Sequence, residues 1–192
     1  MAIDRQAIAT AIFTDTRTPA GSFASPVVDG YREDACGANC ELNPDEANRL
    51  LDEAGFDRSQ PVDLWFNAGA GHDSWMTAVG NQIRENLGVD YALRGDLQFA
   101  QYLPLQDAQG MTGPFRAGWI MDYPSIYNFL SPLYSTAALP PAGSNTTFFS
   151  DPAFDAALAE GNNAEDIDAA TEDYQRAEDI LGIAREQRAL SI

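Results

Sequence analysis

Apolar positions along this chain switch between two periods, and the switches lay out its elements. In "AIDRQAIATAIF", Ile3, Ala7, Ile8, Ala11 and Ile12 recur at three- and four-residue steps, which predicts a helix near the amino end. In "PVDLWFN" the step falls to two. Val62, Leu64 and Phe66 oppose Asp63, Trp65 and Asn67, the pattern of a strand with one buried face. Over residues 73–87 the helical step returns with Met76, Val79, Ile83 and Leu87, and Gly88 supplies a stop. A second strand is expected at "VDYALR", a helix near residues 98–108, and a third strand at "FRAGW". Strands separated by helices of this length predict a sheet with crossover helices, so the fold class is α/β or mixed α+β.

Two further helices are announced by their ends. "NPDEANRLLDEAG" has Asn43 as N-cap, Pro44 at the first helical position, acids at Asp45 and Glu46, and Gly55 to stop. "DPAFDAALAEG" repeats the logic, with Asp151 as cap, Pro152 first, Phe154 and Leu158 inward, and Gly161 closing. A last helix over roughly 165–181 turns Ile167, Ala170, Tyr174, Ala177 and Leu181 to one side. Residues 18–42, rich in Pro, Gly and Ser, read as a long ordered connection, and residues 121–150 as a long irregular surface. Loops of that length in a compact domain are commonly functional.

Composition narrows the function classes. A chain of 192 residues suits a single domain and can bury roughly 70% of its unfolded surface without a metal. With 29 acidic against 11 basic residues and a formal charge of −18, it lacks the clustered cations that nucleic acid or an anionic membrane would need. No apolar run approaches the roughly 18 residues that span a bilayer, and no signal peptide opens the chain, so any export signal would lie upstream of it or not exist. Cys36 and Cys40 in "ACGANC" suit a short disulfide, hence an oxidising compartment; two free thiols in a reducing one is the alternative. Zinc would want two more ligands near them, and the sole histidine, His72, is remote in sequence.

His72 is also the sole candidate for a catalytic base. A small hydrolase would need it within reach of Ser74, Ser22 or a cysteine, and Asp73 beside it cannot be assumed to orient it. A lone histidine at a strand-to-helix junction is more often a loop or capping residue. "GAG" before that helix lacks the lysine of a phosphate loop, "NTT" at Asn145 reads as a turn with local hydrogen bonds, and no cofactor is implied.

"FRAGWIMDYPS" gathers Arg116, Trp119, Asp122 and Tyr123 within eight positions. From the residues alone it lines a ligand cleft, or else Trp119 is core and Asp122 caps a helix beginning near Pro124. The succession "AIDRQAIATAIF", "TPAGSF", "GY", "NPDEANRLLDEAGF", "LWFNAGAGHDSWMTAVGNQIRENLGVDYALR", "FRAGWIMDYPSIYNFL" and "NTTFFSDPAFDAALAEG" resembles the C-terminal lobe of the oligopeptide and dipeptide solute-binding proteins of ABC importers, family 5. The resemblance covers about residues 2–181.

This resemblance implies one lobe of a two-lobed periplasmic-binding-protein-like fold. Its implied work is transport without catalysis: a peptide held in an interlobe cleft and delivered to a membrane permease. It also implies an extracytoplasmic place, in the periplasm or lipid-anchored at the outer face of the membrane. By position Asp122 would pair with the ligand's α-ammonium group, and Arg116 would meet its carboxylate or backbone. Gly118, Trp119, Ile120, Met121 and Tyr123 would lie along the extended peptide. The family's first lobe and final return segment have no counterpart in these 192 residues, so the expectation is an isolated lobe of residues 1–192 with one cleft wall and a tendency to self-associate. Other solutes of the same fold, such as a nickel complex, a sugar or a cationic small molecule, stay open.

Overall fold

A computed structural model describes residues 1–14 and 16–189. Two compact units emerge from the packing. One contains Met1–Pro19 and Cys40–Ala117, the other Ala20–Asn39 and Gly118–Gln187.

The first unit opens with α1 (Arg5–Phe13), capped by the Asp4 carboxylate, which accepts from the Ala7 N–H at 2.8 Å. α2 (Pro44–Glu53) begins as its sequence dictates: the Asn43 side chain accepts from the Glu46 N–H at 3.1 Å, with proline and two acids in the first turn. β1 (Val62–Trp65) then leads through α3 (Asp73–Leu87) into β2 (Tyr91–Arg94), and the strands pair in parallel from Val62 opposite Tyr91 to Trp65 opposite Arg94. α4 (Phe99–Asp107) follows. Leu64, Phe66, Met76, Ile83 and Val89 form the core of this unit, and Leu64 is wholly buried.

Two expectations change here. "FRAGW" is not a strand: only Phe115 bridges to Trp65, in parallel, before the chain leaves the first unit at Ala117. Gly113 and Pro114 before the bridge and Gly118 after it break the run, so the sheet stays two-stranded. On α1, Ala7 and Ala11 are exposed while Ile8 and Ala9 are buried. α1 meets α3 near its own start, where the Asp4 N–H donates to Gln82 at 2.6 Å and Asn86 donates to the Ala2 carbonyl at 2.8 Å, and the buried stripe is correspondingly narrow.

The second unit is built from α5 (Tyr127–Tyr134), α6 (Pro152–Asn162), α7 (Ile167–Ala189) and the 20–39 loop. Residues 121–150 are therefore less irregular than expected. Ile126 and Leu130 are buried and anchor α5 in a core with Val28, Phe149, Phe154 and Leu181. α6 is capped by Asp151 as expected, but Gly161 does not close it. The helix runs on to Asn162, and Gly161 sits buried where a Cβ would meet the Tyr174 ring at 2.4 Å. Ile167, expected inward, is 78% exposed because it lies in the opening turn of α7, ahead of the stretch that joins the core.

The 20–39 loop is held by one buried carboxylate. Glu178 on α7 is fully buried; it accepts from the Ser22 hydroxyl at 2.5 Å and the Phe23 N–H at 3.1 Å, and pairs with Arg32 at 3.1 Å. Arg32 also reaches Asp179 at 2.5 Å. Three donors, the Ser22 hydroxyl, the Phe23 N–H and the Arg32 guanidinium, converge on Glu178 and satisfy its buried charge, the condition for tolerating it. Cys36 and Cys40 are disulfide-bonded, as the spacing suggested, and a short 3₁₀ turn spans Gly37–Cys40.

Candidate functional site

The segment singled out in the sequence divides between the units, and each part is fixed by its own neighbours. In the first unit the β1 backbone grips its beginning. Trp65 N–H donates to the Pro114 carbonyl at 2.9 Å, and Arg116 N–H to the Trp65 carbonyl at 2.8 Å. The Tyr102 hydroxyl, buried on α4, donates to the Arg116 carbonyl at 2.8 Å. Burial pushes the Tyr102 phenol up to about 12, so it stays a donor across the physiological range. Arg116 thus has a fixed backbone and a half-buried side chain. Its cation lies near enough to His72 to add to the effect of burial, and together they hold the imidazole below its usual range.

In the second unit Gly118, Ile120, Asp122 and Tyr123 are exposed, Ile120 by 89%, while Trp119 is half-buried and Met121 packs against the core. Asn128, buried in the first turn of α5, organises this stretch. Its carbonyl oxygen accepts from the Asp122 N–H at 2.8 Å and from the Trp119 indole N–H at 3.3 Å, and its amide donates to the Asp122 carboxylate at 3.4 Å. Asp122 therefore does not cap a helix. α5 starts at Tyr127 with Ile126 in the capping position and no side-chain cap. One carboxylate oxygen faces its amide partner, and the exposed residue keeps acceptor capacity for a cation in solution.

Asn128 and Tyr102 were not singled out from the sequence. Both act through backbone and side-chain groups six or more positions away, so neither leaves a periodic signal. The other candidates resolve into structural duties. His72 stands at the N-cap position of α3, where its Nδ1 accepts from the Trp75 indole at 3.1 Å. Ser22 donates to Glu178, and the cysteines are oxidised. Asn145 is wholly buried, donating to the Ser135 and Phe149 carbonyls at 2.9 and 2.8 Å, which is the turn-building role expected of "NTT".

An α/β fold with an oxidised cysteine pair suits an oxidising compartment. Residues 1–140 match the family model described as bacterial extracellular solute-binding proteins, family 5 Middle, and the chain belongs to that family. The family is one of binding proteins and not of enzymes, which removes the hydrolase alternative. The chain is 30% identical over 186 residues to the periplasmic oligopeptide-binding protein OppA of Salmonella typhimurium, covering 94% of this chain and 33% of that protein. It is 29% identical over 187 residues to the periplasmic murein peptide-binding protein MppA of Escherichia coli, with coverage of 94% and 33%. The solved structure of the Escherichia coli murein tripeptide binding protein MppA superposes with a TM-score of 0.80 at 28% identity, over 98% of this chain and 36% of that one. The chain thus spans about a third of the length of the curated relatives it matches.

Proposed function

We propose that these 192 residues form one lobe of a two-lobed, extracytoplasmic solute-binding protein that presents peptides to an ABC-type membrane permease, with Asp122 as the anchor for the peptide's α-ammonium group. The observation that carries this reading is the exposed Asp122 carboxylate held in place by buried Asn128, beside the half-buried Trp119. An ammonium leaving water needs a partner, and a charge-assisted hydrogen bond to a carboxylate contributes about 1.5–3 kcal/mol. Pre-positioning by Asn128 reduces the entropy lost when that bond forms. A peptide laid along the exposed residues Gly118 and Ile120 would be read through its main chain, by strand-like hydrogen bonds, without regard to its side chains. Arg116 brings a planar guanidinium suited to a carboxylate or a carbonyl. The named relatives, an oligopeptide binder and a murein peptide binder, support a peptide as the solute.

The test is an NMR titration of the labelled chain with tri- to pentapeptides and with the same peptides N-acetylated. Shifts in residues 118–123 that vanish on acetylation and in Asp122→Asn are the expected result. Equal shifts from acetylated peptides would remove Asp122 as the amine anchor.

A further inference from the structure

We infer that the first unit carries a second, apolar binding site, at the opposite end of the parallel strands from His72, which takes a small neutral apolar molecule. Below the amino ends of β1 and β2, a pocket of about 440 Å³ is walled by Leu51, Phe56, Val62, Ile83, Leu87 and Val89 and opens to solvent along Gln60, Pro61 and residues 112–114. That volume lies within the range of sites for small ligands, roughly 300–1,000 Å³.

Two sets of hydrogen bonds hold the walls in place. Arg58 stitches the turn after α2 to the end of α3: it donates to the Asn48 side chain at 2.6 Å, to the Leu87 carbonyl, and to Asp52 at 2.8 Å, while Asn48 donates to the Asn86 carbonyl at 2.8 Å. On the other side the 112–114 loop is clamped to β1. The Trp65 indole donates to the Thr112 carbonyl at 2.9 Å and the Thr112 hydroxyl to Asp63 at 3.1 Å. Gly113, at φ +97°, lies so close to β1 that a Cβ would meet the Asp63 carbonyl at 2.5 Å. These bonds fix the backbone on both sides of the pocket.

The lining selects its guest. Asp63 and Thr112 bond to each other, and Asp63 also pairs with Arg94 at 2.9 Å, which leaves Gln60 as the polar side chain on the wall with no bond to another part of the lining. The rest of the wall is apolar side chain, so an apolar occupant removes that surface from water and is favoured over a polar one. The −18 charge of the chain, with Asp63 in the wall, disfavours an anion such as a fatty acid. A neutral aromatic or short aliphatic molecule remains.

N-phenyl-1-naphthylamine, neutral and fluorescent in apolar surroundings, is the probe. Titration into the 192-residue chain is expected to give saturable one-to-one fluorescence enhancement, lost in Leu51→Trp, which fills the cavity from its half-buried rim. Methyl resonances of Val62, Ile83, Leu87 and Val89 in the unaltered protein are expected to shift together with the fluorescence, a readout independent of how the variant folds. Absence of saturation, enhancement retained in a folded Leu51→Trp protein, or methyl shifts confined to the exposed Leu93 and Leu103 would overturn the proposal.

Discussion

Buried Asn128 holds both the backbone and the carboxylate of Asp122, accepting from its N–H at 2.8 Å and donating to its side chain at 3.4 Å. Replacing Asn128 with alanine removes these bonds and the acceptor of the Trp119 indole together. The expected outcome is a loss of about 1–3 kcal/mol in stability, with weaker binding of free-amine peptides. Denaturant melts and calorimetric titration check the two effects separately. Unchanged peptide affinity in a folded Asn128→Ala protein would show that Asp122 needs no such positioning.

Glu178 is the hub of the 20–39 loop, and its truncation to alanine strips the Ser22 hydroxyl and Arg32 of a buried acceptor. Breaking a buried pair from one side costs about 3 kcal/mol or more. Glu178→Gln, which keeps an acceptor oxygen for Ser22, should lose clearly less. Urea unfolding of both variants measures the difference, and equal losses would contradict the assigned hydrogen bonds.

Gly161→Ala tests the close approach of α6 to Tyr174, where the added carbon would lie 2.4 Å from the ring. Forcing a methyl into a packed contact costs about 1–3 kcal/mol, although alanine is the better helix former. A thermal melt should therefore fall below that of the unaltered chain. A rise in melting temperature would mean that the tyrosine ring swings away freely.

The single histidine makes one titration diagnostic. Burial first, and then the Arg116 cation, hold His72 below its ordinary value of 6.5 in the folded protein. The unfolded chain consequently binds the proton more readily, and the contribution of His72 to stability is present above pH 6.5 and lost as pH falls toward the lower folded value. An NMR titration of the imidazole should give a midpoint below 6.5 that moves up in Arg116→Gln. A midpoint at or above 6.5 in the unaltered protein would refute the assignment.

Local signals in the sequence were enough where an element is decided by its own residues. The caps of α2 and α6 and the crossover from β1 through α3 to β2 stand where Asn43, Asp151 and the alternation around Leu64 placed them. Features decided by distant partners were not visible. α5 carries Pro132 and follows Pro124, so "YNFLSPLY" looks like loop until the core closes over Ile126 and Leu130. Glu178 reads as one more solvated acid on an acidic helix because its partners lie 146 and 156 positions earlier. At the candidate site the sequence offered Asp122 and Trp119 but not Asn128, whose part depends on how the chain turns between Tyr123 and Ile126.

That long separation sets an order of events during synthesis. The first unit's core draws on residues between Ile3 and Tyr91, so it can assemble while the ribosome is still extending the chain. Residues 20–39 cannot settle then. The loop leaves the ribosome 146 to 156 positions ahead of Glu178 and stays without its buried carboxylate until that residue has been added, so it is exposed to proteases and chaperones over that stretch of synthesis. A nascent chain halted before α7 should be clipped within that loop, and one released after it should resist.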